Sequence, residues 1–160
     1  MRDDPGQLTL FTLPIEERIP RRHPLRAVRT TSALVLETLA PRLAPFVRNV
    51  RQSMPVDQVL RAILLWGLYS IPSERRLIEE IDYNLLYRWF LGITPEAHMW
   101  SRDIFRHRRQ ALTRSGCVAA FVGRTLARIK GPVLANPHFI LNRPLLDAWA
   151  GQEQIAGLED

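Results

Sequence analysis

The sequence predicts a mainly α-helical protein: a compact multi-helix domain with a helix-turn-helix-like part, followed by a short strand. Apolar residues recur at helical spacing, as in Leu77, Ile81 and Leu85. Capping residues, glycines or prolines bound each helical stretch. At 160 residues, 46% hydrophobic and 24% charged, the chain is long enough to bury one globular core.

The first half of the chain predicts an arm and two helices. Residues 1–22 are polar and interrupted by prolines, so we expect an extended arm that docks partly on the body. Pro24 suits the first turn of a helix, whereas Pro41 and Pro45 are expected to end or break that helix. Ser53 is expected to cap a second helix, whose largely apolar circumference predicts a central position.

A third helical unit is predicted over residues 73–91. Ser73 is a good N-cap, and Glu74 places a negative charge in the first turn, where the helix dipole favours it. We expect a bend near residues 83–84, and Gly92 is expected to end the helical unit.

The second half of the chain predicts two more helices and then a change of pattern. Ser101 is expected to cap the first of them, residues 115–116 to end it, and the second to cover residues 118–130. Residues 138–141 form a short apolar run between prolines, which predicts a strand. Residues 145–149 are expected to continue as a strand or a short turn.

The positive charge is clustered. The net charge is +6, and residues 101–130 alone carry eight positive charges and one negative charge. Such a cluster favours a polyanionic partner, most commonly nucleic acid, although a solvated basic face is the alternative. Arg102, Arg106 and Arg109 share one helix face, which makes them candidates for base or phosphate contacts. The full set of candidate DNA-binding residues is Arg102, Arg106, Arg108, Arg109, Arg124, Arg128 and Lys130.

Composition argues against several other classes. Cys117 is the only cysteine, which excludes an internal disulfide framework and agrees with a cytoplasmic location. The four histidines lack metal-ligand spacing, so a zinc site is not expected. The N-terminus has no apolar core of a signal peptide, and the apolar run 62–69 is too short to span a bilayer, so we expect no membrane partner.

Three stretches carry a resemblance to a known family. Ser73-Glu74-Arg75, followed by Asp-Tyr-Asn-Leu-Leu-Tyr-Arg-Trp-Phe-Leu-Gly at residues 82–92, resembles the N-terminal domain signature of InsH-like DDE transposases of bacterial insertion sequences. The string at residues 23–26 matches the family's opening, and residues 53–70 resemble its second pattern. The resemblance runs from about residue 23 to residue 150. It implies that the arm at residues 1–22 is followed by a helical DNA-binding domain at 23–131 and by a remnant of an RNase H-like catalytic domain at 132–160.

The resemblance also implies a lost catalytic centre. Family members hold Mg²⁺ with acidic residues, and the first catalytic Asp lies in a string that residues 138–150 match without gaps. Asn142 occupies that Asp position, and a neutral amide cannot supply the anionic oxygen that Mg²⁺ requires. The chain ends at Asp160, before the second Asp and the Glu. We therefore expect a truncated transposase that binds insertion-sequence terminal repeats, with no catalytic residue and no cofactor of its own; Mg²⁺ belongs to the intact family enzyme.

Three other interpretations stay open. The chain could be a helical interaction module that forms homo-oligomers or pairs with an intact transposase, or a remnant without function. An active nuclease is a third hypothesis, and Asn142 argues against it.

Overall fold

The computed structural model of the chain describes residues 14–47 and 54–156, with side chains as far as Gly151. The described residues form nine helices and no strand, so the mainly α prediction is confirmed. The predicted Ser53 cap and most of the N-terminal arm lie outside the described residues. The helices are α1 (Ile15–Arg18), α2 (Pro24–Val47), α3 (Val56–Leu68), α4 (Glu74–Tyr83), α5 (Leu85–Leu91), α6 (Arg102–Arg114), α7 (Cys117–Arg128), α8 (Gly131–Leu134) and α9 (Arg143–Ala156).

Helix α3 lies at the centre of the bundle, as its apolar circumference predicts. Nine of its 13 residues are buried, and α2, α4, α5, α6, α7 and α9 all pack on it. Helices α2 and α7 run antiparallel, because the Sγ atom of Cys117 at the start of α7 lies 3.9 Å from the carbonyl oxygen of Arg42 near the end of α2. Helix α9 packs along α7 and α3.

Most of the predicted helix boundaries are confirmed by their capping contacts. The side chains of Ser73 and Ser101 each accept a hydrogen bond from the amide three residues on. Asn84 ends α4 and caps α5 in the same way, which accounts for the predicted bend. Gly92 ends α5 with φ +76°, and Gly116 separates α6 from α7 with φ +77°; both angles favour glycine.

The prediction that prolines break the first helix is wrong. Helix α2 runs unbroken through Pro41 and Pro45. Each proline removes one backbone hydrogen bond and costs roughly 3 kcal/mol in a helix interior. Leu39 and Leu43 are buried on the same stretch, and burial of such side chains contributes about 1.5–3 kcal/mol each. Packing against the core therefore offsets the cost that the local sequence implies.

The predicted strand at residues 138–141 is also wrong. A strand must satisfy its backbone groups by pairing with a neighbour, and the described residues contain no second strand. The segment instead lies against the C-terminal end of α3. The amide of Ile140 donates to the carbonyl of Leu68 over 3.1 Å, and the amide of Asn142 donates to that of Gly67 over 2.8 Å. The segment thus satisfies two of the carbonyls that a helix end leaves unpaired.

Residues 145–149 are helical, within α9, and not a strand or a turn. Helix α9 packs closely where Gly67 of α3 and Gly123 of α7 carry no side chain. A Cβ atom built on Gly67 would lie 2.2 Å from a methyl carbon of the fully buried Leu146, whereas one on Gly123 would meet Ala150 at 3.6 Å. Buried side chains from this part of the chain join the same core as the preceding helices: Leu134, Phe139 and Leu146. Its origin in a catalytic domain stays a prediction.

We expect substitution by alanine to have opposite effects on stability at Gly67 and at Gly123. Gly67→Ala should lower the free energy of unfolding by about 1–3 kcal/mol, because the new methyl group overlaps Leu146 and displaces α9. Gly123→Ala should be neutral or raise it by up to about 1 kcal/mol, because the contact is ordinary and alanine favours the helix. Urea denaturation followed by circular dichroism measures both. Equal effects of the two substitutions would contradict the close packing of Leu146 of α9 against Gly67.

Candidate nucleic-acid interface

Arg88, in the middle of the signature string, is a buried structural centre. It is 3% exposed. Its Nε atom donates to the carbonyls of Ile81 and Asp82 at the end of α4, over 3.1 and 2.9 Å. Its Nη1 atom donates to the carbonyls of Thr94 and Ala97 in the loop that leads to α6, over 2.7 and 2.9 Å, and Nη2 pairs with the Asp82 carboxylate at 3.1 Å. One guanidinium therefore fixes the path from α4 through α5 towards α6.

Glu74 holds two of the candidate DNA-binding arginines. Its side chain is 10% exposed at the first position of α4. Its Oε1 atom accepts a hydrogen bond from Arg106 Nε over 3.0 Å, and its Oε2 atom accepts one from Arg109 Nε over 2.9 Å. The Arg109 guanidinium also lies 5.7 Å from the centre of the Trp66 ring. The carboxylate thus sets Arg106 and Arg109 side by side on α6.

The other candidate residues are distributed over several surfaces. Arg102 is exposed at the first turn of α6, on the face that it was predicted to share with Arg106 and Arg109. Arg108 points elsewhere, because its Nη1 atom donates to the carbonyl of Phe46 at the end of α2 over 2.8 Å. The remaining three residues follow on or just after α7: Arg124 is half-buried and in contact with other groups, whereas Arg128 and Lys130 are exposed.

Helices α6 and α7 are joined by a two-residue turn, which makes this pair the candidate for the predicted helix-turn-helix-like part. In that motif the second helix enters the major groove. Here α7 is buried along Cys117 to Val122, with α2 and α9 packed on it, so it presents little surface to a groove. Helix α6 has only Phe105 and Leu112 buried, so it carries the exposed basic face.

A second group of arginines forms a cluster that the sequence does not reveal. The Glu16 carboxylate accepts hydrogen bonds from the Trp89 indole and from Arg26, and Arg29 lies 3.4 Å from it. Arg26 and Arg29 also stack on the Trp89 ring, at 5.1 and 4.6 Å from its centre. The hydrogen bonds from Trp89 and Arg26 lower the pKa of Glu16. Because 73 residues separate Glu16 from Trp89, no local spacing indicates the pair.

Asn142, which the sequence resemblance aligns with a catalytic Asp, acts as a helix cap. The Oδ1 atom of Asn142 accepts a hydrogen bond from the amide of Leu145 over 3.1 Å, at the start of α9. Asp147, which follows on α9, is exposed. Across residues 14–47 and 54–151, whose side chains the structure describes, no three His, Cys, Asp or Glu side chains come together as a metal site. Nor does any helix in these ranges combine the length and apolar content needed to cross a membrane.

Two histidines lie edge to face beside α3. The ring centres of His23 and His138 are 4.2 Å apart, and His138 Nε2 lies 2.8 Å from the Tyr69 hydroxyl. His23 Nδ1 accepts a hydrogen bond from the amide of Leu25 over 3.1 Å, which caps α2. Burial, then the charges of His138 and Arg26, lower the pKa of His23, so the fold favours its neutral form.

Comparison with known proteins gives one family. A family model described as a transposase domain (DUF772) matches residues 13–111. The match covers more than half of the chain, includes Glu74 and Arg88, and ends within α6. No curated protein and no solved structure matches the chain.

Arg88→Lys should lower the free energy of unfolding by about 2–4 kcal/mol, because an ammonium group cannot reach the same set of carbonyls and leaves buried acceptors unpaired. Urea denaturation measures the loss. Arg75→Lys, on the exposed face of α4, is the matched control and should change stability by less than about 0.5 kcal/mol. Similar small effects for both would contradict the central role of Arg88.

The His23 cap predicts acid sensitivity. The folded pKa lies below the ordinary value of 6.5, so the unfolded chain takes up the proton first as the pH falls. The titration of His23 therefore leaves the free energy of unfolding unchanged above about pH 7.5 and lowers it below about pH 6.5. His23→Asn keeps a capping acceptor without titrating. The loss of stability between pH 7.5 and pH 5.5 should be smaller in this variant than in the wild type; equal losses would contradict the assignment.

Proposed function

The chain belongs to the transposase-domain family DUF772, and we propose that it binds DNA at the ends of an insertion sequence without catalysing strand transfer by itself. The family membership supplies the biological context. The exposed arginines of α6 support the DNA-binding surface. The neutral side chain of Asn142 supports the lack of catalysis.

The observation that carries the proposal is the pair of arginines that Glu74 fixes on α6. Arginine contributes to DNA recognition through planar contacts with phosphate or with guanine, and these contacts strengthen when the side chain is already positioned. The buried Glu74 carboxylate positions Arg106 and Arg109 without a DNA partner. DNA binding would then require less ordering of long side chains than a flexible basic face does.

Arg106 retains donors for a ligand. Its hydrogen bond to Glu74 uses Nε, and its side chain remains 43% exposed, so its terminal amino groups are not consumed by that bond. Arg109 is more fully engaged, through both Nε and Nη2. Arg102 is exposed one turn before Arg106, on the same face. We therefore assign direct DNA contact to Arg102 and Arg106, and a supporting position to Arg109.

The proposed lack of catalysis is supported by the chemistry of Asn142. Its amide side chain is neutral and is used to cap α9, and its own amide donates to Gly67. Arg143, which follows it, adds a positive charge where the family's dication would be bound. Neither feature suits the binding of a hard divalent cation.

A second candidate function is oligomerisation. Tyr83 and Leu85 are 63% and 39% exposed on either side of the junction between α4 and α5. Exposed large apolar side chains close together can form part of a protein interface. This observation favours a helical interaction module, acting with a second copy or with an intact transposase.

The DNA-binding proposal predicts a preference for the element's own ends. Fluorescence anisotropy should show the chain binding a labelled terminal-repeat duplex more tightly than a scrambled duplex, with affinity falling as salt rises. Arg106→Ala should weaken binding and reduce the log–log salt slope by about 0.9, the value expected for one lost phosphate contact. If Arg106 reads a base, the preference for the repeat should also fall, by about 1–3 kcal/mol.

The matched control is Arg75→Ala, which removes an exposed arginine from α4 and should leave DNA binding unchanged. The same mixtures incubated with Mg²⁺ should keep the duplex intact on a denaturing gel, whereas cleavage would contradict the inactive assignment. No binding to either duplex at low salt, together with a mass that rises with protein concentration, would overturn the proposal in favour of oligomerisation.

A further inference from the structure

One end of the bundle carries a further group of cations, distinct from the Arg26 and Arg29 cluster, which we name the basic end. Its members are Arg21, Arg22, Arg128, Lys130 and Arg143, and all five side chains are exposed. Within the described part of the chain, none of them has an ion pair or hydrogen bond through its side chain. They come from three separate segments: the lead-in to α2, the end of α7, and the start of α9.

The fold brings these segments together at the same end. Because α2 and α7 run antiparallel, the end of α7 lies towards the beginning of α2, and α8 contacts α2. The ring contact of His23 with His138 joins the lead-in to the segment before α9. The hydrogen bond from the Asn142 amide to Gly67 then places the start of α9 at the C-terminal end of α3.

Among the side chains that the structure describes, the acidic ones do not neutralise this end. Glu16 is occupied by Arg26, Arg29 and Trp89. Two other carboxylates belong to the same segments, Glu17 and Asp147, and both are exposed. Five cations therefore exceed two available acids, and such an excess favours an extended polyanion.

We propose that the basic end is a second contact of this chain with duplex DNA, made to the phosphate backbone. This inference rests on the proposed DNA-binding function and extends it to surfaces that the family match does not cover, since Lys130 and Arg143 lie beyond residue 111. Cations spread over three segments suit the repeating phosphates of a duplex, and such contacts position a protein without reading sequence. The α6 face would supply the preference for the terminal-repeat sequence, and the basic end would add affinity for any duplex.

The test uses the full chain with Lys130→Gln and Arg143→Gln combined. Neither side chain is buried or hydrogen-bonded in the described structure, so the variant should fold, which circular dichroism confirms. In anisotropy titrations with the terminal-repeat duplex from 50 to 300 mM salt, the log–log slope should become shallower by about 1.8, the value for two lost phosphate contacts. The ratio of affinities for the terminal-repeat and scrambled duplexes should stay unchanged.

The matched control combines Arg75→Gln with Arg76→Gln, which removes the same charge from the exposed face of α4 and should leave the slope unchanged. If the wild type binds DNA and the basic-end variant keeps the wild-type slope, this inference is overturned and the proposed function stands. Equal reductions in the two variants would also overturn it, because they would reflect net charge alone. If the wild type binds no DNA, both proposals fail.

Discussion

The buried guanidinium of Arg88 is the interaction on which the arrangement of the helices around α3 depends. It bonds to carbonyls at the end of α4 and to carbonyls in the loop that leads to α6, so it fixes both sides of the short helix that carries it. Five donors in a planar group can satisfy such a set of acceptors, whereas no other side chain has that geometry. By fixing α4, Arg88 also fixes the position from which Glu74 holds the arginines of α6. The structural centre and the proposed DNA-binding surface are therefore linked through one helix.

Local signals predict much of this fold, and long-range contacts account for what they miss. Ser73, Asn84, Gly92 and Ser101 act where the sequence indicates, because caps and left-handed glycines depend on neighbouring residues alone. Pro41 fails as a helix breaker because burial of its neighbours against other helices offsets its cost. In the candidate site, too, local sequence predicts one part and long-range contacts determine the other. Helical spacing predicts that Arg102, Arg106 and Arg109 share a face, but Glu74 lies 32 residues from Arg106 and no local pattern reveals their ion pair.

The C-terminal part of the chain shows how context changes the meaning of a sequence. Residues 138–141 have the composition of a strand, but the described residues offer no neighbouring strand, and the amides of Ile140 and Asn142 bond to the end of α3 instead. Asn142, which the sequence resemblance aligns with a catalytic Asp, caps α9 in the structure. Gly67 leaves room for Leu146, so α9 completes the core that the preceding helices build. The sequence alone could not predict this, because the fit of Gly67 to Leu146 joins residues far apart in the chain.

We propose that the arginines of α6 and the basic end contact the same DNA duplex. Hydrogen–deuterium exchange of the full chain, with and without a terminal-repeat duplex, tests it most directly. We expect added protection in peptides that cover residues 101–110 and in those around residues 20–24 and 128–143, with little change at residues 75–80 of α4. Protection confined to the junction around residues 83–85, or none at all in the presence of saturating duplex, would contradict the account.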